Sequence, residues 1–184
     1  MKPHRVNTLA NPSKDSVKPI PLTHLSDQVA VSKLRDGLAD GSALMVLLTV
    51  YRAFAVLDRD QAEELSTLGL TPLQFNILTT LKRTQEPTTM GALASLLVVR
   101  PNNLSSNINT LIQRGWVRRE INSLDQRSFL AVITDKGHSL LDQHLPAHWV
   151  RLEKLMSELS NAKRRSLVEG LKLMVSSVEK SASI

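Results

Sequence analysis

Residues 101–114 carry a chemistry that a plain surface helix has no use for. Asn102, Asn103, Ser105, Ser106, Asn107, Asn109, Thr110 and Gln113 are interleaved with Leu104, Ile108, Leu111 and Ile112. At helical spacing this makes one apolar face and one face of short amides and hydroxyls. Asparagine is a poor helix former, worse than alanine by about 0.5 kcal/mol or more per position. A merely solvated face would use Glu, Lys and Ala. Amides and hydroxyls both donate and accept, and an asparagine amide matches the hydrogen-bonding edge of adenine. Arg100 precedes the segment and Arg114 closes it. A guanidinium fork suits phosphates and base edges. The pattern therefore predicts a helix that reads a duplex through Arg100, Asn102, Asn103, Ser105, Ser106, Asn107 and Asn109.

A second candidate lies downstream, where Asp125, Gln126 and Arg127 occupy a polar tip over residues 122–127. The segments 116–120 and 128–134 flank it with strand-like patterning, so the whole reads as a β-hairpin. An arginine on a narrow hairpin fits the minor groove, where a carboxylate two residues away would hold its guanidinium. Taken alone the Asp-x-Arg spacing is a weak motif, and an exposed ion pair contributes little.

The surrounding elements are predicted from periodicity and caps. Pro3, Pro12, Pro19 and Pro21 make residues 1–24 an extended arm. Ser26 and Asp27 look like the cap of a short helix reaching residue 39. Leu44, Leu47, Leu48, Tyr51, Phe54, Ala55, Ala62 and Leu65 define a long helix over 42–68. Its early half is apolar on more than one side, as expected for a helix caught between its own domain and a second subunit. Thr71-Pro72 opens a helix over 72–82, Thr89 caps another over 90–97, and Gly115 is placed to stop the amide-rich one. A long helix follows from 135 to about 159, bent at Pro146, and Ser160 caps a last one over 161–179. The fold class is mainly α with a small β-hairpin wing. Residues 70–137 form a winged helix-turn-helix lobe, residues 41–68 and 138–184 a helical dimerisation region, and residues 1–40 a dimer-associated arm and short helix.

Composition agrees. The 184 residues carry 23 Lys plus Arg against 17 Asp plus Glu, a net charge of +6. Residues 70–140 hold eight bases and four acids, the largest local surplus. A positive balance suits a polyanionic partner. The absence of cysteine excludes disulfides, thiolate metal sites and thiol switches. The longest apolar run, Ala43 to Leu48, is far shorter than the roughly 20 residues of a membrane span. No secretory signal is visible, so a soluble cytoplasmic protein is expected. No phosphate-binding glycine loop, G-x-S-x-G or H-E-x-x-H occurs, and no enzyme activity or cofactor is expected.

With these residues in hand, the segment 70–137 resembles the MarR family of bacterial regulators. The resemblance is carried by Leu70-Thr71-Pro72-Leu73-Gln74-Phe75, Met90-Gly91-Ala92-Leu93-Ala94, Arg114-Gly115-Trp116-Val117-Arg118-Arg119, Leu124-Asp125-Gln126-Arg127 and Ile133-Thr134-Asp135-Lys136-Gly137. It extends from residue 42 to the end. It implies a triangular homodimer with interlocked terminal helices, whose two lobes bind a pseudo-palindromic double-stranded operator. It also implies a small aromatic carboxylate or phenolic effector that lowers DNA affinity. The effector pocket expected by that likeness contains Tyr51, Phe75, Asn76 and Arg119. The long N-terminus and Leu145-Pro146-Ala147-His148 look like the urate-responsive branch. That branch has a carboxylate where this chain has Asn76, an arginine where it has Asn107, and an N-terminal tryptophan that is missing here.

Two other readings compete. His144 and His148 lie four apart on one helix, which suits a metal-responsive regulator, although spacing nominates no third ligand. A winged helix used only to bind protein, without DNA, is the other.

Overall fold

The computed structural model describes residues 24–123, 125 and 127–182. The expected arm over residues 1–23 lies outside them, as does the side chain of Gln126. The chain forms two compact units, one ending at Glu64 and the other beginning at Leu65.

The first unit contains α1 (Leu25–Arg35) and most of α2 (Ser42–Ser66). The sequence placed the cap of α1 at Ser26 and Asp27. Instead His24 caps it, and the Asp27 carboxylate accepts from the His24 backbone N–H at 2.9 Å. The helix ends at Arg35 rather than near residue 39, because Gly37 takes a left-handed φ of 74°. Just ahead of α2, Asp40 accepts from the Ser42 N–H at 3.0 Å and the Ser42 hydroxyl at 2.6 Å. Those two bonds hold the Asp40 carboxyl below its ordinary value of 3.8, with Lys33 adding to the effect.

The second unit holds α3 (Pro72–Thr84), β1 (Thr88–Thr89), α4 (Met90–Leu97), α5 (Pro101–Gln113), β2 (Val117–Ile121), β3 (Phe129–Ile133), α6 (Asp135–Leu155) and α7 (Asn161–Ala182). Each start has a local cause. Thr71 and Gln74 form a reciprocal capping box, with bonds of 3.2 and 3.1 Å. Thr89 accepts from Ala92 N–H at 3.2 Å, and Thr134 accepts from Gly137 N–H at 3.2 Å. α3 runs two residues past the expected end because Gln85, not Glu86-Pro87, takes the left-handed conformation that stops it. Pro146 sits inside α6 without ending it, and the helix stops at Leu155, short of residue 159.

The hairpin predicted from the sequence is present, shifted by one residue on its first strand. It pairs Val117 with Ile133 and Ile121 with Phe129 in antiparallel register. A third strand was not foreseen. Thr88 and Thr89 pair with Ala131 and Leu130, giving the order β1-β3-β2. Two residues are too few to show a period. The core gathers Phe75, Ile77 and Leu78 of α3, Leu93 of α4, Leu104, Ile108 and Leu111 of α5, Val117 and Ala131 of the sheet and Leu141 of α6. Burying each such aliphatic side chain stabilises by about 1.5–3 kcal/mol. That apolar side of α5 fixes its rotation and turns the amide side outward.

Candidate nucleic-acid interface

The recognition candidate is α5, packed against α4 through a tight turn. Val98 in this turn is left-handed, with φ 53° and ψ 45°. Leu104, Ile108 and Leu111 are fully buried, whereas Asn102, Asn103, Ser105, Ser106 and Asn109 are exposed and Asn107 is half-buried. Pro101 occupies the first helical position, where the missing N–H costs nothing, and Arg100 is the N-cap residue with an exposed side chain. The positive end of the helix dipole thus lies beside an arginine, a setting that favours phosphate.

The amide face is graded along its length. Several of its donors already bond within the helix. Asn107 Nδ2 donates to the Asn103 carbonyl at 2.7 Å, Thr110 to the Ser106 carbonyl at 3.1 Å and Ser105 to the Pro101 carbonyl at 3.3 Å. Those residues offer mainly acceptor oxygens to an outside ligand. Asn102 and Asn103 lie exposed on the first turn of the helix.

Four contacts anchor the far end of α5. Arg114 donates through Nη1 to the Gly69 carbonyl at 2.7 Å and lies over the Trp116 ring at 5.1 Å. Lys136 Nζ donates to the Arg114 carbonyl at 2.9 Å, and Thr134 Oγ1 to the Gly115 carbonyl at 2.7 Å. The carbonyls of Arg114 and Gly115 at the helix end are thereby satisfied by Lys136 and Thr134, while the Arg114 guanidinium ties that end to the loop before α3. Sequence reasoning did not find Lys136 or Thr134 in this role.

At the wing, both Asp125 and Arg127 are exposed. The expected carboxylate–guanidinium clasp takes another form. Asp125 Oδ1 accepts from the Arg127 backbone N–H at 3.0 Å, a local turn bond that fixes the main chain and leaves the guanidinium to project. Asn122, which the sequence reading passed over, is buried and donates to the Ser128 hydroxyl at 2.9 Å, and that hydroxyl donates to the Asp125 carbonyl at 3.0 Å. These bonds tie Asn122, Asp125 and Ser128 together at the tip.

The four residues expected around an effector have distinct surroundings. Phe75 is 3% exposed and meets the buried His148 edge-on at 4.9 Å, so it belongs to the core. Asn76 is exposed on α3. Arg119 is exposed on β2, lies over the Phe129 ring at 4.3 Å and donates to Asn109 Oδ1 at 2.6 Å. Tyr51, in the other unit, is 63% exposed. The structure thus joins one expected effector residue to one expected DNA residue. His148 is packed between Phe75 and Trp149, and among the described residues no group of three His, Cys, Asp or Glu is placed to hold a metal ion. Among them, too, no helix is long and apolar enough to cross a membrane.

A family model described as MarR family matches residues 68–128, the span from the α3 cap to the wing. The uncharacterized HTH-type transcriptional regulator YkoM of Bacillus subtilis (strain 168) is 31% identical over 121 residues, covering 66% of this chain and 78% of YkoM. The chain belongs to the MarR family. The HTH-type transcriptional regulator PecS of Dickeya dadantii (strain 3937) is 27% identical over 130 residues, covering 70% of this MarR-family chain and 78% of PecS. A mutant MarR from E. coli complexed with operator DNA shares the fold, with a TM-score of 0.65 at 23% identity over 78% of this chain and 96% of that one. This MarR-family chain is a DNA-binding transcriptional regulator of winged-helix fold, and its mainly helical architecture with a small antiparallel sheet is that of the family.

Proposed function

We propose that this regulator is a repressor that binds a pseudo-palindromic operator as a homodimer and is released by a small aromatic acid or phenol. One observation carries the DNA half of this reading. The face of α5 opposite Leu104, Ile108 and Leu111 is exposed, uncharged and able both to donate and to accept. Asn102, Asn103, Ser105, Ser106 and Asn107 face the major groove in this reading. Arg100 meets phosphate, and Arg127 enters the flanking minor groove from the wing.

Two lobes on one face of a duplex need their reading helices about 34 Å apart, one turn of DNA. The support for a dimer is the apolar surface left on the terminal helix. Leu167, Leu171, Val175 and Val178 of α7 are exposed, and no described residue of that helix is buried. Such a stripe is normally covered by a partner. Residues 41–68 and 138–184 are the proposed dimerisation segments and 70–137 the reading lobe.

The effector half rests on the family likeness. A ligand shifts DNA affinity only if it prefers the conformation that cannot bind DNA, and a reversal from 99:1 needs about 5.5 kcal/mol of preference.

Selection of duplexes from a random pool by the full chain tests the first half. A two-fold symmetric consensus with half-sites one turn apart is expected. Enrichment of nothing above the starting pool defeats the DNA-reading assignment. A thermal-shift panel of hydroxybenzoates, nicotinates and urate, followed by DNA competition, tests the second. A panel in which no compound raises the melting temperature defeats the proposed effector class.

A further inference from the structure

The bond between Arg119 and Asn109 joins elements that the sequence keeps ten positions apart. Arg119 lies on β2 in register with Ala131 of β3. Alternation along the strand puts it on the same side as Val117, whose side chain is buried in the core. Phe129 is its diagonal neighbour across the ladder, a separation that a long side chain spans. The guanidinium lies over the Phe129 ring at 4.3 Å and sends Nη2 to Asn109 Oδ1 at 2.6 Å. Stacking fixes the plane of the fork, and the fork then fixes the amide. Both strands of the wing are thus tied to the middle of the recognition helix by one side chain.

From this we infer that Arg119 is a positioning residue for operator discrimination, and that Asn109 is its anchor rather than a reader of bases. The inference rests on the proposed DNA-reading function. Wing and helix must enter adjacent grooves together, and what sets their relative angle also sets which sequences satisfy both. Asn109 has its acceptor oxygen engaged toward the wing, whereas two-point adenine recognition needs that oxygen together with the amide nitrogen. Arg119 has its charge held over a ring and one N–H committed to protein. With its fork held in this way, its expected role is to position helix and wing rather than to contact phosphate.

The test compares affinity for a duplex recovered by random-pool selection with affinity for its scrambled sequence, using the full-length chain at several salt concentrations. The ratio of the two affinities is unaffected by a fraction of unfolded protein. Arg119→Gln and Asn109→Ala should each lower that ratio about tenfold, the worth of a charge-assisted hydrogen bond. The double variant should be no worse than either single one, because both remove the same tie. Asn109→Asp keeps an oxygen for Arg119 while removing the amide donor, so it should preserve the ratio even as its added negative charge weakens both complexes. The salt slope of Arg119→Gln should equal that of the unaltered chain.

The following results overturn the inference. A slope reduced by about one, with equal losses on both duplexes, makes Arg119 a phosphate contact. Losses that multiply in the double variant, or a ratio lost in Asn109→Asp, make Asn109 an independent reader. Unchanged ratios leave the pair without a role in discrimination. An unaltered chain that binds both duplexes equally overturns the DNA-reading function itself and this inference with it.

Discussion

Val98→Gly is expected to stabilise the protein, although it removes a branched apolar side chain. Val98 ends α4 with φ 53° and ψ 45°, a conformation in which an L-residue's Cβ crowds the following carbonyl. The penalty is about 1–2 kcal/mol, and a β-branched residue sits at the upper end. The side chain is 91% exposed, so truncation forfeits almost no burial. The turn's hydrogen bonds, Val98 N–H to Ser95 at 3.2 Å and Val99 N–H to Ala94 at 3.0 Å, come from the backbone and survive. Against the relief stands the extra freedom that glycine gives the unfolded chain, about 0.4–1 kcal/mol. The net gain is about 1–1.6 kcal/mol. For a chain of this size that raises the melting temperature by about 2–6 °C. Val98→Ala keeps the Cβ and relieves only the branching, so its gain should be smaller. The assay is thermal unfolding by circular dichroism at one fixed protein concentration, since self-association would otherwise shift the midpoint. A glycine variant that melts at or below the unaltered chain, or an alanine variant that matches it, refutes the strained turn.

Three further outcomes follow from other parts of the molecule. Arg127→Ala should weaken binding to all sequences alike and reduce the salt slope by about one, while an unchanged slope would remove the wing from the DNA contact. Gly137→Ala should cost about 1–3 kcal/mol in urea titration, because the added Cβ would clash with the Trp116 carbonyl oxygen and lie 2.7 Å from Ile133 Cγ1. A cost near zero would mean that the start of α6 is free to shift. Asp40 is held below its ordinary 3.8 when folded, so its contribution is present above that value and is lost as the pH falls through the lowered one. Acid should therefore loosen the first turn of α2, read as a lower protection of the Ser42 amide against exchange relative to its intrinsic rate at each pH, and Asp40→Asn should abolish that loss of protection.

Much of this protein is written in short stretches of chain. Thr71-Pro72, Thr89 and Thr134 start helices because a side-chain oxygen three residues away satisfies an open N–H, a matter settled within one turn. The two faces of α5 are equally local, since a period near 3.6 sorts Leu104 and Ile108 from Asn103 and Ser106 before any packing occurs. The hairpin and its polar tip follow from the change of period at Gly115. The relations between such stretches needed the tertiary structure. β1 is two residues long and exists only because β3 offers it an edge. Phe75 shares its stripe with other apolar residues, and only the fold shows it packed on His148. Arg114 meets Gly69 across 45 positions, Lys136 meets Arg114 across 22, and Arg119 meets Asn109 across ten. Sequence spacing fixes which face of its own helix or strand a residue occupies. It carries no information on which distant face will be opposite, because that depends on how the buried surfaces of all the elements pack together at once.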